Sequence, residues 1–239
     1  MARLPASIPF LTAFALLFPA CERPPEAPPE EAPAAAPGLP FDGALEPDSF
    51  RLVSGVGDTL RFTVTSTGAG TRIARYRRVQ AGTDSLIAIV EPGTQTPVSS
   101  VQHRHLTGGA VTAQVEYGRG SDGRARLRLS AARGHRDDNI RTPPPVLDAA
   151  QIPVSFLALD LDAIDSLSFN YVAPLGGQAL PARLVVTPDT LSIGDAAGPA
   201  LRLRLVVSGL EERYWFEAEP PHRLLRIQEV TGNMTWDRG

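Results

Sequence analysis

The histidines are the residues of this 239-residue sequence that could bind a transition metal. His103 and His105 are two positions apart on a predicted strand, so both imidazoles would point to one face, as paired metal ligands do. The residues that could complete such a site are His135, His222, Asp137 and Asp138. Sequence spacing does not bring them together, and the arginines beside them oppose a cation. We therefore predict a solvated or hydrogen-bonded polar face here and no metal.

Three clustered acids superficially resemble a calcium loop. They are Asp160, Asp162 and Asp165. An EF-hand loop needs Gly at its sixth position and Glu at its twelfth, and those positions hold Asp165 and Tyr171. We predict that these acids end a helix or turn and face water.

Hydrolytic chemistry has no sequence signature in this chain. Serine, histidine and aspartate are plentiful, but Gly-x-Ser-x-Gly and His-Glu-x-x-His are both absent from the sequence. Paired carboxylates for glycoside chemistry stay open, because their spacing is set in three dimensions. The sequence also has no lysine, which excludes Schiff-base chemistry and a phosphate-loop lysine. We predict no enzyme activity and no cofactor. An envelope hydrolase remains an alternative, ranked third after the two binding functions described below.

All 23 basic residues are arginines, and some share strand faces. The residues of the candidate anion-binding face are Arg124, Arg126, Arg128, Arg202 and Arg204. Such a face could bind anionic headgroups, because a guanidinium binds phosphate through two hydrogen bonds. The alternative is the solvated side of a half-buried sheet, with arginines paired to neighbouring acids. The net charge of −3 shows no basic excess, so no nucleic-acid partner is expected.

Large apolar side chains define a second candidate site. Tyr214, Trp215 and Phe216 are consecutive, so at least one ring must lie away from the main core of a sheet. That ring covers a sheet edge or forms a cavity wall. The residues of the candidate ligand cavity are Phe62, Leu127, Phe169 and Trp215. A lipid carrier would desolvate acyl chains against such side chains.

Period-two alternation dominates the sequence from residue 41 onward. Apolar and polar residues alternate over 60–65, 111–117 and 124–129, which is typical of antiparallel strands with one dry face. The last two runs flank the turn 118–123 and predict a hairpin. Further candidate strands are 85–90, 97–105, 166–173, 182–187, 201–207, 213–218 and 224–229, separated by turns such as 174–177 and 194–199.

The only plausible helical stripe is Ile152, Phe156 and Leu159 within 148–163, and Pro153 strains it. About ten short strands fit a barrel, half-barrel or sandwich. We predict a mainly β fold, a curved antiparallel sheet forming a half-barrel or barrel-like domain with at most one short helix.

The N-terminus predicts export. Residues 1–20 carry one positive charge and then a short apolar run, as a secretory signal peptide does. The run ends Leu-Phe-Pro-Ala-Cys, which resembles the bacterial lipobox, although Phe18 and Pro19 depart from its usual residues. The resemblance implies lipidation of Cys21, the only cysteine. The alternatives are cleavage elsewhere with a free thiol and a retained, uncleaved anchor. Glu22 after that cysteine implies the outer membrane, facing the periplasm.

Residues 21–40 are rich in proline, alanine and glutamate, a composition typical of an extended spacer. The predicted organisation is therefore a signal peptide at 1–20, a lipidated cysteine and linker at 21–40, and an antiparallel β domain at 41–239.

Five segments in order resemble the domain-of-unknown-function family 3108 of bacterial envelope proteins. They are "GDTLRFTVTS", "RVQAGTDSLIAIVEPGTQTPVSSVQHRH", "DGRARLRLS", "IPVSFLALDL" and "RYWFEAEPPHRLLRIQ". The resemblance covers roughly residues 44 to 236 and implies a curved antiparallel sheet in an exported protein, with no catalytic residues. The expected fold is also similar, by analogy alone, to the half-barrel carriers of the lipoprotein-localisation system, which shelter acyl chains.

These observations predict an envelope lipoprotein that binds a hydrophobic or lipid-like ligand in a curved sheet. The alternative is a structural or assembly lipoprotein that binds another envelope protein through a sheet edge or the arginine-rich face. A carrier should show an open apolar cavity, and an assembly protein a filled sheet interior.

Overall fold

A computed structural model of the protein describes residues 39–41, 43–79, 82–118 and 123–239. The predicted signal peptide, the predicted lipidation at Cys21 and the linker up to residue 38 lie outside the described residues and stay predictions. Among the described residues, no helix is long and apolar enough to cross a bilayer.

The described chain forms one curved, unclosed sheet of fifteen strands, which confirms the predicted mainly β, half-barrel-like fold. The strands are β1 (Asp48–Ser54), β2 (Thr59–Thr67), β3 (Gly70–Val79), β4 (Gly82–Val90), β5 (Pro97–Leu106), β6 (Gly109–Tyr117), β7 (Arg124–Ala131), β8 (Gly134–Arg141), β9 (Val146–Asp148), β10 (Ser166–Ala173), β11 (Gln178–Ile193), β12 (Ala196–Val207), β13 (Leu210–Glu217), β14 (Leu224–Glu229) and β15 (Met234–Arg238).

The strand order is β8-β7-β6-β5-β4-β3-β2-β1-β15-β14-β13-β12-β11-β10-β9. Neighbouring strands are antiparallel, except that β9 runs parallel to β10. The first and last strands in sequence, β1 and β15, therefore meet in the middle of the sheet.

The main core lies on the concave side of the sheet. In β2, Leu60, Phe62 and Val64 are buried there, while Arg61 between them is exposed. Phe62 stacks on Phe50 of β1, with ring centroids 5.0 Å apart. Burial of such apolar side chains on one face is what the period-two alternation predicts.

The chain's own residues 149–161, which we call the inner segment, fill much of this concave side. Within them only Leu157 and Asp160 are not fully buried. The Phe156 ring lies 6.5 Å from Phe169 and 5.7 Å from Tyr214 between centroids, in edge contacts. The end of the inner segment contacts the residues that precede β1, where Leu159 forms a β-bridge with Phe41.

The helical stripe predicted over 148–163 is largely wrong. Only Val154–Ala158 is helical, and it is a 3-10 helix, since Pro153 has no N–H to continue a longer helical ladder. The segment is buried on nearly all sides, so its apolar residues do not mark one helix face. A second 3-10 helix, Pro174–Gly176, occupies the predicted turn at 174–177.

A smaller second core shows that the two ends of the sheet overlap. Tyr171 points into the main core, so the next residue, Val172, points to the convex side of β10. Val172 is nevertheless completely buried, because it packs against the concave faces of β6, β7 and β8. The buried residues of this overlap core are Ala113, Val115, Ala125, Leu127, Ile140 and Val172.

Gly177 fits the overlap closely. It has a φ of +65°, and a Cβ there would lie 3.1 Å from Leu127 Cδ2. Both the backbone conformation and the space favour glycine at this position.

Five strands were not predicted: β1, β3, β8, β9 and β15. The turn predicted at 194–199 is also shorter than expected, because β12 already begins at Ala196.

Candidate functional site

A pocket of about 330 Å³ opens where the chain enters β1. We call it the entry pocket. Its lining residues are Ala44, Leu45, Glu46, Pro47, Asp48, Phe50, Val64, Leu157, Pro221, Arg223, Leu224 and Arg238. It is formed by the segment before β1, the first strands of the sheet, the inner segment and the β13–β14 turn.

The floor of the entry pocket is apolar and continuous with the main core. Leu45, Phe50, Val64 and Leu224 are all buried members of that core. Leu157, one of the two residues of the inner segment that are not fully buried, contributes a wall. The pocket can therefore accept apolar groups against a preformed surface.

The rim of the entry pocket carries charges of both signs. Arg223 and Arg238 lie there with Glu46 and Asp48. The Arg223 Nε pairs with Glu217 Oε2 at 3.0 Å. Arg238 has no ion pair among the described residues; its guanidinium carbon lies 4.9 Å from the centroid of the Phe50 ring. Arg238 is thus a cation of the rim that lies against Phe50 of the apolar floor and has no ion pair to a described carboxylate.

A buried polar cluster fixes the start of the inner segment. Asp148 Oδ2 accepts hydrogen bonds from Ser100 Oγ and Tyr117 Oη, both at 2.5 Å, and Oδ1 accepts one from Ala150 N at 2.7 Å. Asp148 follows the inward-facing Leu147 and so points into the overlap, towards β5 and β6. The carboxylate therefore ties β9 to two strands from the other end of the sheet.

Burial is the main cause of the shifted pKa values in this cluster. It raises the pKa of Asp148, while the hydrogen bonds from Ser100 and Tyr117 oppose the rise. Burial and the Asp148 charge also raise the pKa of Tyr117. Asp148 and Ser100 are 0% and 2% exposed. A substrate has no direct access to them, so the geometry fits a structural role.

Gln151 extends the same network. Its Nε2 donates to the Gln95 carbonyl at 2.9 Å and to Ser155 Oγ at 3.0 Å, and its Oε1 accepts from Asp148 N at 3.0 Å. These bonds tie the inner segment to the β4–β5 loop. No sequence motif marks this cluster, because Gln95, Ser100 and Tyr117 lie far from Asp148 along the chain.

A second polar cluster lies on the concave side. Arg77 Nη1 pairs with Glu229 Oε1 at 3.0 Å, and its guanidinium carbon lies 4.7 Å from the centroid of the Trp236 ring. Burial raises the pKa of Glu229, and Arg77 opposes the rise. Tyr214 Oη donates to Glu212, and burial raises the pKa of that tyrosine. Arg77 and Glu229 therefore compensate each other's charge, while Glu212 adds a second negative charge directly across from Glu229.

The structure does not bring the four predicted cavity residues together. Phe62 and Phe169 belong to the main core, whereas Leu127 belongs to the overlap core. Trp215 lies on the convex face with Leu191 and Ala200. Its Nε1 donates to Asp189 at 2.9 Å, which holds the pKa of that carboxyl below its usual value.

The predicted arginine face is divided between two strands. Arg124, Arg126 and Arg128 lie on the convex face of β7, and Arg202 and Arg204 on that of β12. Three of them form ion pairs: Arg128 with Asp137 at 3.1 Å, Arg202 with Asp189 at 3.4 Å and Arg204 with Glu211 at 3.5 Å.

His103 and His105 share the convex face of β5, as predicted, and both are exposed. His103 Nδ1 lies 2.9 Å from Thr112 Oγ1. Within the described ranges, no three histidine, cysteine or acidic side chains are grouped to hold a metal ion. Asp160 Oδ1 accepts from Ala163 N at 3.1 Å in a turn, while Asp162 and Asp165 are exposed.

Comparison with known proteins shows no relative: no protein family, curated protein or solved structure matches the chain. The resemblance to domain-of-unknown-function family 3108 stays a prediction.

Proposed function

We propose that this protein is a non-catalytic envelope lipoprotein whose entry pocket binds a lipid-like ligand. The observation that carries the proposal is the combination, in one pocket, of an apolar floor with Arg238, a cation without a described carboxylate partner. An amphiphile presents the same combination of an apolar chain and a charged headgroup.

The apolar floor supplies the binding energy in this proposal. A pocket of about 330 Å³ falls within the ordinary size range of small-ligand sites. Apolar surface that the ligand buries against Leu45, Phe50 and Leu224 contributes about 25 cal/mol per Å². Because these residues already belong to the main core, the surface needs little ordering on binding.

The inner segment decides where the ligand lies. Phe156 and its neighbours already occupy the concave side, so a chain packed against Phe62 would have to displace them. The entry pocket needs no such displacement. We therefore place the ligand in the entry pocket and not on the concave side of the sheet, which the inner segment fills.

The rim favours a headgroup with both signs of charge. A phosphate would lie at Arg238, and an amine would face Glu46 or Asp48. A phosphate-plus-amine headgroup is thus more complementary to this rim than a simple fatty acid.

Calorimetric titration tests this proposal. The probe is monomeric lysophosphatidylethanolamine, and the protein is the compact fragment Ala36–Gly239. We expect saturable binding. Arg238→Gln should weaken it about tenfold, because the variant loses one charge-assisted hydrogen bond to the ligand. Arg226→Gln is the matched control, since Arg226 pairs with Asp237 outside the pocket. No binding, or equal losses in both variants, would overturn the proposal.

The filled concave side favours a second candidate, an assembly lipoprotein. Among the described strands β8 pairs only with β7, so its other edge is open to a partner strand. Cross-linking in isolated envelopes should then give an adduct with a partner protein, and Asn139→Pro in β8 should abolish that adduct. In this case the wild-type protein should not bind lysophosphatidylethanolamine in the titration described above. Unchanged adducts in that variant would exclude pairing at this edge.

A further inference from the structure

Two arginines lie directly opposite each other on the convex face of the β7–β8 hairpin. Arg124 of β7 and Arg141 of β8 are cross-strand partners, and both side chains are exposed. Like charges in this arrangement destabilise a sheet. Among the described residues, neither arginine forms an ion pair.

Two other arginines of the same hairpin do form ion pairs with acids. Arg128 binds Asp137 at 3.1 Å, and Arg136 pairs with Asp138. Within the described part of this hairpin, acids therefore pair with Arg128 and Arg136, and none pairs with Arg124 or Arg141.

A concavity of about 380 Å³ lies at this pair. Arg124, Asn139, Ile140 and Arg141 line it. Ile140 is buried in the overlap core, which holds this part of β8 in place. The Asn139 side-chain amide makes no hydrogen bond to a described residue, so it is available as a further donor.

We propose that Arg124, Asn139 and Arg141 bind a phosphate group. Two guanidinium groups and one amide offer converging donors for its oxygens, and guanidinium matches phosphate geometry through paired hydrogen bonds. The bound charge would also remove the repulsion between the two arginines. Arg126, opposite Asn139 on the same face, adds positive potential that Glu116 across the sheet partly offsets.

This phosphate site is distinct from the entry pocket and does not rest on the function proposed above. Its phosphate could belong to a membrane lipid headgroup or to a soluble phosphorylated molecule. The chemistry of recognition is the same in both cases, so the experiment must separate the two sources.

The first measurement is a titration of the fragment Ala36–Gly239 with inorganic phosphate at constant ionic strength. The readout is the NMR shift of the Asn139 side-chain amide. We expect a saturable shift in the wild type and at least tenfold weaker binding in Arg124→Gln/Arg141→Gln. The matched control, Arg128→Gln/Arg136→Gln, removes the same charge from the same strands and should bind within about twofold of the wild type, because binding depends on position and not on total charge.

The second measurement is flotation with phosphatidylcholine vesicles, with and without phosphatidic acid. Binding that needs phosphatidic acid and is lost only in Arg124→Gln/Arg141→Gln identifies a lipid headgroup. Saturable phosphate binding without vesicle binding identifies a soluble ligand. The proposal is overturned if no saturable shift occurs, or if both double variants lose binding equally. Asn139→Ala leaves every arginine in place and should weaken phosphate binding. Because this variant lacks the reporter amide, its binding is compared with the wild type by calorimetric titration, and unchanged affinity would exclude Asn139 from the site.

Discussion

The main core and the overlap core are held together in different ways. The main core is broad and apolar, and the inner segment fills it from within. The overlap core has few buried side chains, but it adds a fully buried carboxylate that accepts hydrogen bonds from β5 and β6. Apolar burial is non-directional, whereas hydrogen bonds require a specific geometry. The main core therefore supplies stability, and the Asp148 cluster fixes how the two ends of the sheet meet.

The largest expected effect is on the main core. Phe156→Ala should lower the free energy of unfolding by about 3–5 kcal/mol, because it leaves a cavity between Phe169 and Tyr214. Denaturant unfolding measures the change. Tyr76→Ala, at a side chain 44% exposed, is the control and should cost less than about 1 kcal/mol. A loss below about 1.5 kcal/mol for Phe156→Ala would show that the inner segment is not tightly packed.

A smaller but local effect is expected in the overlap. Asp148→Ala leaves the buried hydroxyls of Ser100 and Tyr117 without their acceptor and should cost about 2–4 kcal/mol. Hydrogen exchange should rise mainly in β6–β8 and little in β1 and β2. Uniform loss of protection across the sheet would contradict a separate role for the overlap. Asp189→Ala, on the convex face, is the control and should leave exchange in β6–β8 unchanged.

The pH dependence of stability sharpens the same comparison. An unfolded aspartate has a pKa of about 3.9, and burial raises the pKa of Asp148 in the native chain. Above a pH of about 3.9 the native state therefore binds more protons than the unfolded state, and stability falls as the pH rises towards the native pKa.

Asp148→Asn removes this contribution, so its stability should fall less steeply over that pH range. The pKa of Glu229 is also raised, but that group is present in both proteins, so the difference between the two curves isolates Asp148. Urea unfolding at a series of pH values measures both curves. Parallel curves would show that Asp148 titrates alike in the folded and unfolded chains.

The smallest expected effect lies on the convex surface. Arg141→Gln removes the charge opposite Arg124 and should raise the free energy of unfolding by about 0.2–1 kcal/mol without phosphate. Arg128→Gln breaks an exposed ion pair and should lower stability by no more than about 1 kcal/mol. Thermal unfolding at low salt compares them. A loss of stability in Arg141→Gln would mean that the two arginines do not repel each other.

Much of the sheet could be predicted from the sequence, because β2, β6 and β7 alternate apolar and polar residues without interruption. β3 was missed because Arg75 and Arg77 occupy concave-facing positions and break the apolar alternation. β8 was missed because its exposed positions are charged or polar and its only fully buried residue is Ile140.

The sites were harder to predict than the strands. Alternation shows which side chains share a strand face, but it does not show which strands overlap in a rolled sheet. Leu127 and Phe62 have the same pattern and lie in different cores. The entry pocket depends on residues 44–47, which precede β1 and have no periodic pattern, and on contact with Leu157 of the inner segment.

The most direct test of the central claim is native mass spectrometry of the fragment Ala36–Gly239, purified without detergent. The wild type is compared with Leu157→Trp, which fills the entry pocket, and with Leu210→Trp, at a residue 56% exposed outside the pocket. We predict extra mass, removable by organic extraction, on the wild type and Leu210→Trp but not on Leu157→Trp. Bare protein in all three samples, or the same adduct on Leu157→Trp, would contradict ligand binding in the entry pocket.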